Sequence, residues 1–102
     1  MIISVDICEG KEETLKCESP DEALRVISAF YGRRDVTTCP HETTANFTGE
    51  CRASGVLSRI KAVCDGRMFC HVGAYDNLGG DPCEGIYKYL QVEYTCVGEY
   101  QQ

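Results

Sequence analysis

The stretch "IYKYLQVEYTCV", Ile86 to Val97, is where the reading of this chain turns. It is dense in Tyr, Val, Leu and Ile, the residues that suit a pleated, half-buried surface. In an extended chain Ile86, Leu90, Val92, Tyr94 and Cys96 share one face, which predicts a strand with an inward side. Lys88 has the same parity. A lysine on the inward side of a strand needs a partner, or a rim that its ammonium can reach.

Working back from this strand, "GAYDNLGGDPC" (73–83) is turn chemistry throughout and reads as a long irregular loop, and "MFCHV" (68–72) as a short strand. Between Ser54 and Gly66 the apolar spacing changes. Val56, Leu57, Ile60, Val63 and Cys64 recur every three or four residues and Gly66 stands where a helix would stop, so this segment is the best helix in the chain. "ALRVISAFYGRR" (23–34) follows a helix-like start, "SPDEAL", but its Val, Ile, Phe and Tyr content favours a strand. At the N-terminus "IISVDIC" (2–8) alternates, with Ile3, Val5 and Ile7 on one face. "TLKCES" (14–19) comes after the turn-like "EGKEE" and is expected to pair back on it as a second short strand.

The chain has 102 residues and eight cysteines, at positions 8, 17, 39, 51, 64, 70, 83 and 96. An even number spread along so short a chain predicts a disulfide framework and an oxidising compartment, and so a secreted protein. A zinc site is disfavoured, because there is no C-x-x-C, Cys64 and Cys70 have five residues between them, and His41 and His71 lie far apart. Each bridge is worth about 2–4 kcal/mol where its geometry is relaxed.

The net charge is −6, from sixteen acidic and ten basic residues, and the longest basic run is Arg33-Arg34, so nucleic acid is not an expected partner. No stretch is long and apolar enough to cross a membrane. The N-terminal apolar run is broken by Asp6 with no cleavage signal after it, and the chain reads as mature. "NFT", Asn46 to Thr48, is a glycosylation acceptor pattern within the polar run "PHETTANFTGE" (40–50), expected to be a surface loop. Without repeat or linker, residues 1–102 read as one domain with a core from about 3 to 96. The fold class expected is α+β: a β-rich, sandwich-like domain of antiparallel strands with one or two helices, stapled by four disulfides.

The polar residues that punctuate these elements are Glu9, Tyr31, Asp76, Asp81 and Lys88. Carboxylates only accept, an ammonium only donates, and tyrosine offers a hydroxyl and a ring. Such a set suits a polyhydroxylated ligand, since a vicinal diol donates to a carboxylate and accepts from a lysine at once. A sugar also needs an aromatic face, and with no Trp a tyrosine must supply it. The plainer reading of each carboxylate is turn chemistry, as in Asp81-Pro82. A glycosidase built on Glu9 and Asp81 has no separation or raised pKa in its favour, and paired cysteines leave no thiol nucleophile. No enzyme, cofactor or metal is expected.

"CEG" (8–10), "YGRR" (31–34), "GDPC" (80–83) and "YKYL" (87–90), in this order within eight cysteines, resemble the rhamnose-binding lectins typified by sea-urchin egg lectin. The likeness runs from about Ile3 to Cys96. It implies metal-free sugar binding and the pairings Cys8–Cys39, Cys17–Cys96, Cys51–Cys83 and Cys64–Cys70. It also implies a carbohydrate site of Glu9, Tyr31, Asp81 and Lys88 with backbone at Gly85, and a ligand of the L-rhamnose or D-galactose class recognised through adjacent hydroxyls. Six residues after Cys70 such lectins commonly carry asparagine where this chain has Asp76; Asn77 is the neighbouring amide. The partners implied are galactose- or rhamnose-bearing glycoconjugates, with a homo-oligomer supplying multivalency. Related modules in adhesion-type receptors imply an alternative role in protein contacts.

Overall fold

The computed structural model describes residues 1–98; residues 99–102, the end of the expected 1–102 domain, lie outside the described residues. Six strands, β1 (Ile3–Cys8), β2 (Glu12–Lys16), β3 (Glu22–Arg33), β4 (Cys51–Arg52), β5 (Phe69–Gly73) and β6 (Tyr89–Gly98), accompany one α-helix, α1 (Val56–Cys64), and two 3₁₀ turns at Glu42–Thr44 and Asp76–Leu78. The strands form a four-stranded sheet in the order β1-β6-β3-β4 and a two-stranded sheet, β2-β5, with antiparallel pairing throughout. β6 lies between β1 and β3. Its inward residues Leu90, Val92 and Tyr94 meet Ile7, Leu24, Val26 and Tyr31 from the flanking strands, Leu15 and Val72 from the smaller sheet, and Val56 and Ile60 from α1 in one apolar core.

β3 is the longest strand and contains a bulge between Val26 and Ser28. The extra residue, Ile27, is exposed, and the inward parity passes from Leu24 and Val26 to Ala29 and Tyr31. The helix is tied to this irregularity. Asp65, just after α1, accepts the Val26 N–H (2.8 Å), while Lys61 donates to the Val26 carbonyl (3.1 Å) and pairs with Asp65 (2.8 Å). At the other end Gly32 has φ +152°, and a Cβ there would overlap the carbonyl of Cys51, so glycine is what lets β4 approach β3.

Four expectations change. β2 begins at Glu12 and pairs with β5 rather than back on β1, which places Leu15 opposite Cys70 and lets Leu15 and Cys17 join the shared core. α1 is shorter than the 54–66 pattern; only Val56, Ile60 and Cys64 are buried, while Leu57 (37 % exposed) and Val63 (47 %) face out, since a helix of nine residues presents one narrow stripe to the core. β4 has no signature in the sequence and exists through its pairing with Gly32 and Arg33. β6 starts at Tyr89, so Ile86 to Lys88 precede the strand. The bridges are Cys8–Cys39, Cys17–Cys96, Cys51–Cys83 and Cys64–Cys70, the same pairs that the resemblance implies, and no cysteine is free.

Candidate functional site

Lys88 stands where the end of β1 meets the start of β6. The Glu9 N–H donates to the Lys88 carbonyl (2.9 Å), and the Lys88 N–H donates to Glu9 Oε1 (2.8 Å). The ammonium has three donors and reaches three acceptors: Glu9 Oε1 at 3.2 Å, Asp81 Oδ1 at 3.1 Å and the Ile86 carbonyl at 2.9 Å. Its side chain is 3 % exposed, against 29 % for each carboxylate. The cation is therefore a floor with two half-open anions above it. Burial opposes its charge, but the hydrogen bonds to Asp81 and Glu9 and their attraction prevail and hold the Lys88 pKa above the ordinary lysine value. Asp81 Oδ1 also accepts the Cys83 N–H (3.1 Å), so its rotamer is set within its own turn. Among the described residues, Glu9 Oε2 and Asp81 Oδ2 make no hydrogen bond to protein, which leaves each carboxylate an acceptor for a ligand.

Tyr31 is fully buried on the inward face of β3, and its hydroxyl donates to Asp76 Oδ1 (2.8 Å). Burial first, then the bond to Asp76 and the negative charges of Glu9, Asp76 and Asp81, push its ionisation far above the tyrosine range. The ring is part of the core and so offers no open face; the ring contact expected of Tyr31 has no surface to act from. Its hydroxyl still sits within the field of the carboxylates. Asp76 is exposed at the head of its 3₁₀ turn, and its carbonyl accepts the Gly80 N–H (2.6 Å), which closes the loop that carries Asp81. Asn77 lines a separate groove between α1 and β5, with Ile60 and Tyr75, and stands away from Lys88's pocket.

Glu9, Asp81, Gly85 and Lys88 line an open depression of about 430 Å³. Gly85 has φ +81°, with empty space where a Cβ would stand, so its backbone is approachable. His41, Thr43, Ile86 and Tyr87 complete the wall, and sequence reasoning did not select them. Tyr87 donates through its hydroxyl to the Glu9 carbonyl (3.2 Å) and through its N–H to Thr43 Oγ1 (3.2 Å), while His41 stacks on its ring at 4.6 Å and 24°. Tyr87 flanks Lys88 in the sequence and was within reach of a reading that asked for an exposed aromatic. His41 and Thr43 come from a distant loop without any local signal.

Arg33 holds that loop in place. It is fully buried, and its guanidinium donates to the carbonyls of Tyr87 (2.6 Å), Asp35 (2.6 Å), Thr38 (2.8 Å) and Cys39 (2.6 Å). One planar fork thereby joins the 35–39 turn to the segment bearing Lys88. A depression of larger volume, about 490 Å³, among Met1, Ile3, Lys16, Glu18 and Tyr94 has exposed charges and, among the described residues, no buried ion pair.

Residues 15–96 match the D-galactoside/L-rhamnose binding SUEL lectin domain. The chain belongs to this family. It is 35 % identical over 91 residues to the L-rhamnose-binding lectin ELEL-1 of Echinometra lucunter, covering 88 % of this chain and 86 % of that protein. L-rhamnose-binding lectin CSL1 of Oncorhynchus keta is 40 % identical over 91 residues, which are 89 % of this chain and 31 % of its own length. Latrophilin Cirl of Drosophila mojavensis is 34 % identical over 94 residues, 92 % of this chain but 5 % of that protein. The SUEL lectin domain is thus found both as nearly a whole protein and as a small part of much longer ones. In this member of the SUEL family, the Lys88 ion-pair triad lies at the end of the β1–β6 strand pair, where β1 finishes at Cys8 and β6 begins at Tyr89.

Proposed function

We propose that this SUEL-family chain is a carbohydrate-binding lectin, with residues 3–96 as one binding unit, that holds a terminal D-galactose or L-rhamnose through two adjacent hydroxyls. The observation that carries the reading is the buried Lys88 ammonium beneath two half-open carboxylates, each with an oxygen left over. One hydroxyl donates to Glu9 Oε2 or Asp81 Oδ2 while its neighbour accepts from Lys88 Nζ, exchanging one of the ammonium's present partners for the sugar. Gly85 gives the ring backbone access, and Asp76 with the Tyr31 hydroxyl shapes the negative side of the site.

The mode of binding is independent of calcium, because the position between the two carboxylates that a cation would take is filled by Lys88. In this reading the lectin has no catalytic role, since both carboxylates serve to hold the ammonium and the sugar's hydroxyls. Four bridges suit an extracellular protein, and Asn46, exposed in its loop, is an acceptor for N-glycosylation there. Avidity on a cell surface then comes from a homo-oligomer, since a shallow site binds one sugar weakly.

Calorimetric titration with galactose, rhamnose and glucose, each with a chelator present, tests the proposal: saturable heat with the first two and none with glucose is expected. Silence toward all three from folded, oxidised protein would sink it. The likeness to Latrophilin Cirl supports a second reading, a module that contacts a protein partner, and that silence would favour it.

A further inference from the structure

The carboxylate–lysine triad occupies only part of the depression. The remaining wall is made by His41, Thr43 and Tyr87, which carry no formal charge when the imidazole is neutral, and a diol held at Lys88 leaves them facing whatever is attached to that sugar. The loop that brings them is built with some care. The Thr43 N–H donates to His41 Nδ1 (3.1 Å), and Thr44 Oγ1 accepts the His41 N–H (3.2 Å), a reciprocal cap that fixes the first turn of the Glu42–Thr44 segment. Because Nδ1 is an acceptor, the neutral imidazole carries its proton on Nε2, and that N–H has no protein acceptor among the described residues. The ring is exposed and lies against Tyr87, whose hydroxyl is bonded to the Glu9 carbonyl, so its position is coupled to the triad. With Tyr31 buried in the core, this stacked pair is the aromatic surface that the pocket presents.

We infer that the His41–Tyr87 pair is a second subsite, which takes the sugar attached to the terminal residue and makes the domain selective for a disaccharide. This rests on the lectin reading of the Lys88 site. The penultimate ring lays a C–H face against the imidazole, and one of its hydroxyls accepts from His41 Nε2–H. Selectivity for linkage follows, because only some glycosidic bonds direct the second ring toward this wall and others send it into solvent.

The test is calorimetry on the oxidised domain with methyl galactoside and a panel of galactose-terminated disaccharides differing in linkage, read as the ratio of disaccharide to monosaccharide affinity. An aromatic contact of this kind predicts that the best-fitting disaccharide exceeds the monosaccharide by roughly 3- to 10-fold. His41→Asn keeps an acceptor suited to capping the turn but removes the ring, and should bring the ratio to about one. His41→Phe keeps a ring but removes the Nε2–H and the capping acceptor, and should retain the part of the advantage that the ring contact supplies, a ratio between those of His41→Asn and wild type. A wild-type ratio near one for every linkage, or a His41→Asn ratio equal to wild type, overturns the second subsite while leaving the Lys88 site standing. Absence of heat with all sugars overturns both.

Discussion

Replacing Lys88 by methionine removes the ammonium while retaining an unbranched, apolar stem of similar length. The buried side chain loses three contacts at once, at 3.2 Å to Glu9, 3.1 Å to Asp81 and 2.9 Å to the Ile86 carbonyl. Breaking a fully buried ion pair costs about 3–5 kcal/mol, largely from the charge left behind. Here the orphaned groups are carboxylates with 29 % exposure, which water partly resolvates, so the stability loss should be smaller, about 2–3 kcal/mol. Binding loses a charge-assisted hydrogen bond worth about 1.5–3 kcal/mol, and galactose affinity should fall roughly 10- to 150-fold. Urea denaturation reads the first number and calorimetry the second, with Lys16→Met, an exposed lysine on β2, as the control expected to alter neither. Glu9→Gln serves as a companion if Lys88→Met folds poorly, since it keeps an acceptor for the Lys88 N–H while removing one charge. Galactose affinity within twofold of wild type in folded Lys88→Met would refute the reasoning that the ammonium is the donor to the sugar.

Arg33→Lys should cost about 3 kcal/mol or more in urea denaturation, because a lysine has no planar fork to serve the carbonyls of Tyr87, Asp35, Thr38 and Cys39 together; a loss under about 1 kcal/mol would mean the loop holds itself. Alkali should destabilise the domain through two groups of raised folded pKa, Lys88 and Tyr31. For both, the stabilising contribution is complete below the unfolded values of about 10.4 and 10 and is lost as pH rises through the higher folded values. Tyrosinate absorbance should therefore show a late-ionising component, diminished in Tyr31→Phe, that appears only as the fold is lost. Removing Cys17–Cys96, a separation of 79 residues, should cost about 4.5 kcal/mol, against about 2.2 for Cys64–Cys70 with a separation of 6, if loop entropy governs both; paired Cys→Ala variants in urea decide it.

The sequence by itself determined the elements whose periodicity is uninterrupted. The alternation of Ile3, Val5 and Ile7 marks β1, and the dense apolar run from Tyr89 marks β6, which pairs on both sides and needs an apolar inward face along most of its length. The helix was legible through Val56, Ile60 and Cys64. β3 was ambiguous for a physical reason. Its bulge at Ile27 moves the inward set from even to odd positions, so apolar spacing fits neither period two nor the helical period. β4, with two residues, has no period to read, and the partner of β2 depends on which faces the core must cover.

At the site the same division holds. Glu9, Asp81, Gly85 and Lys88 were named from residue chemistry and motif, and they line one pocket, because three of them sit in turns or strand ends whose residue types declare them. What only the tertiary structure decided is the role of each. Lys88 precedes the strand that its parity was read from, and it is buried because its backbone carbonyl accepts the Glu9 N–H, its N–H donates to the Glu9 carboxylate, and two carboxylates compensate its charge. Tyr31 keeps its hydroxyl near the carboxylates but gives its ring to the core, and the aromatic wall passes to Tyr87 and to His41 from a loop more than forty residues away. Local chemistry names the groups that can bind, whereas burial and long-range contact choose which of them remain open to a ligand.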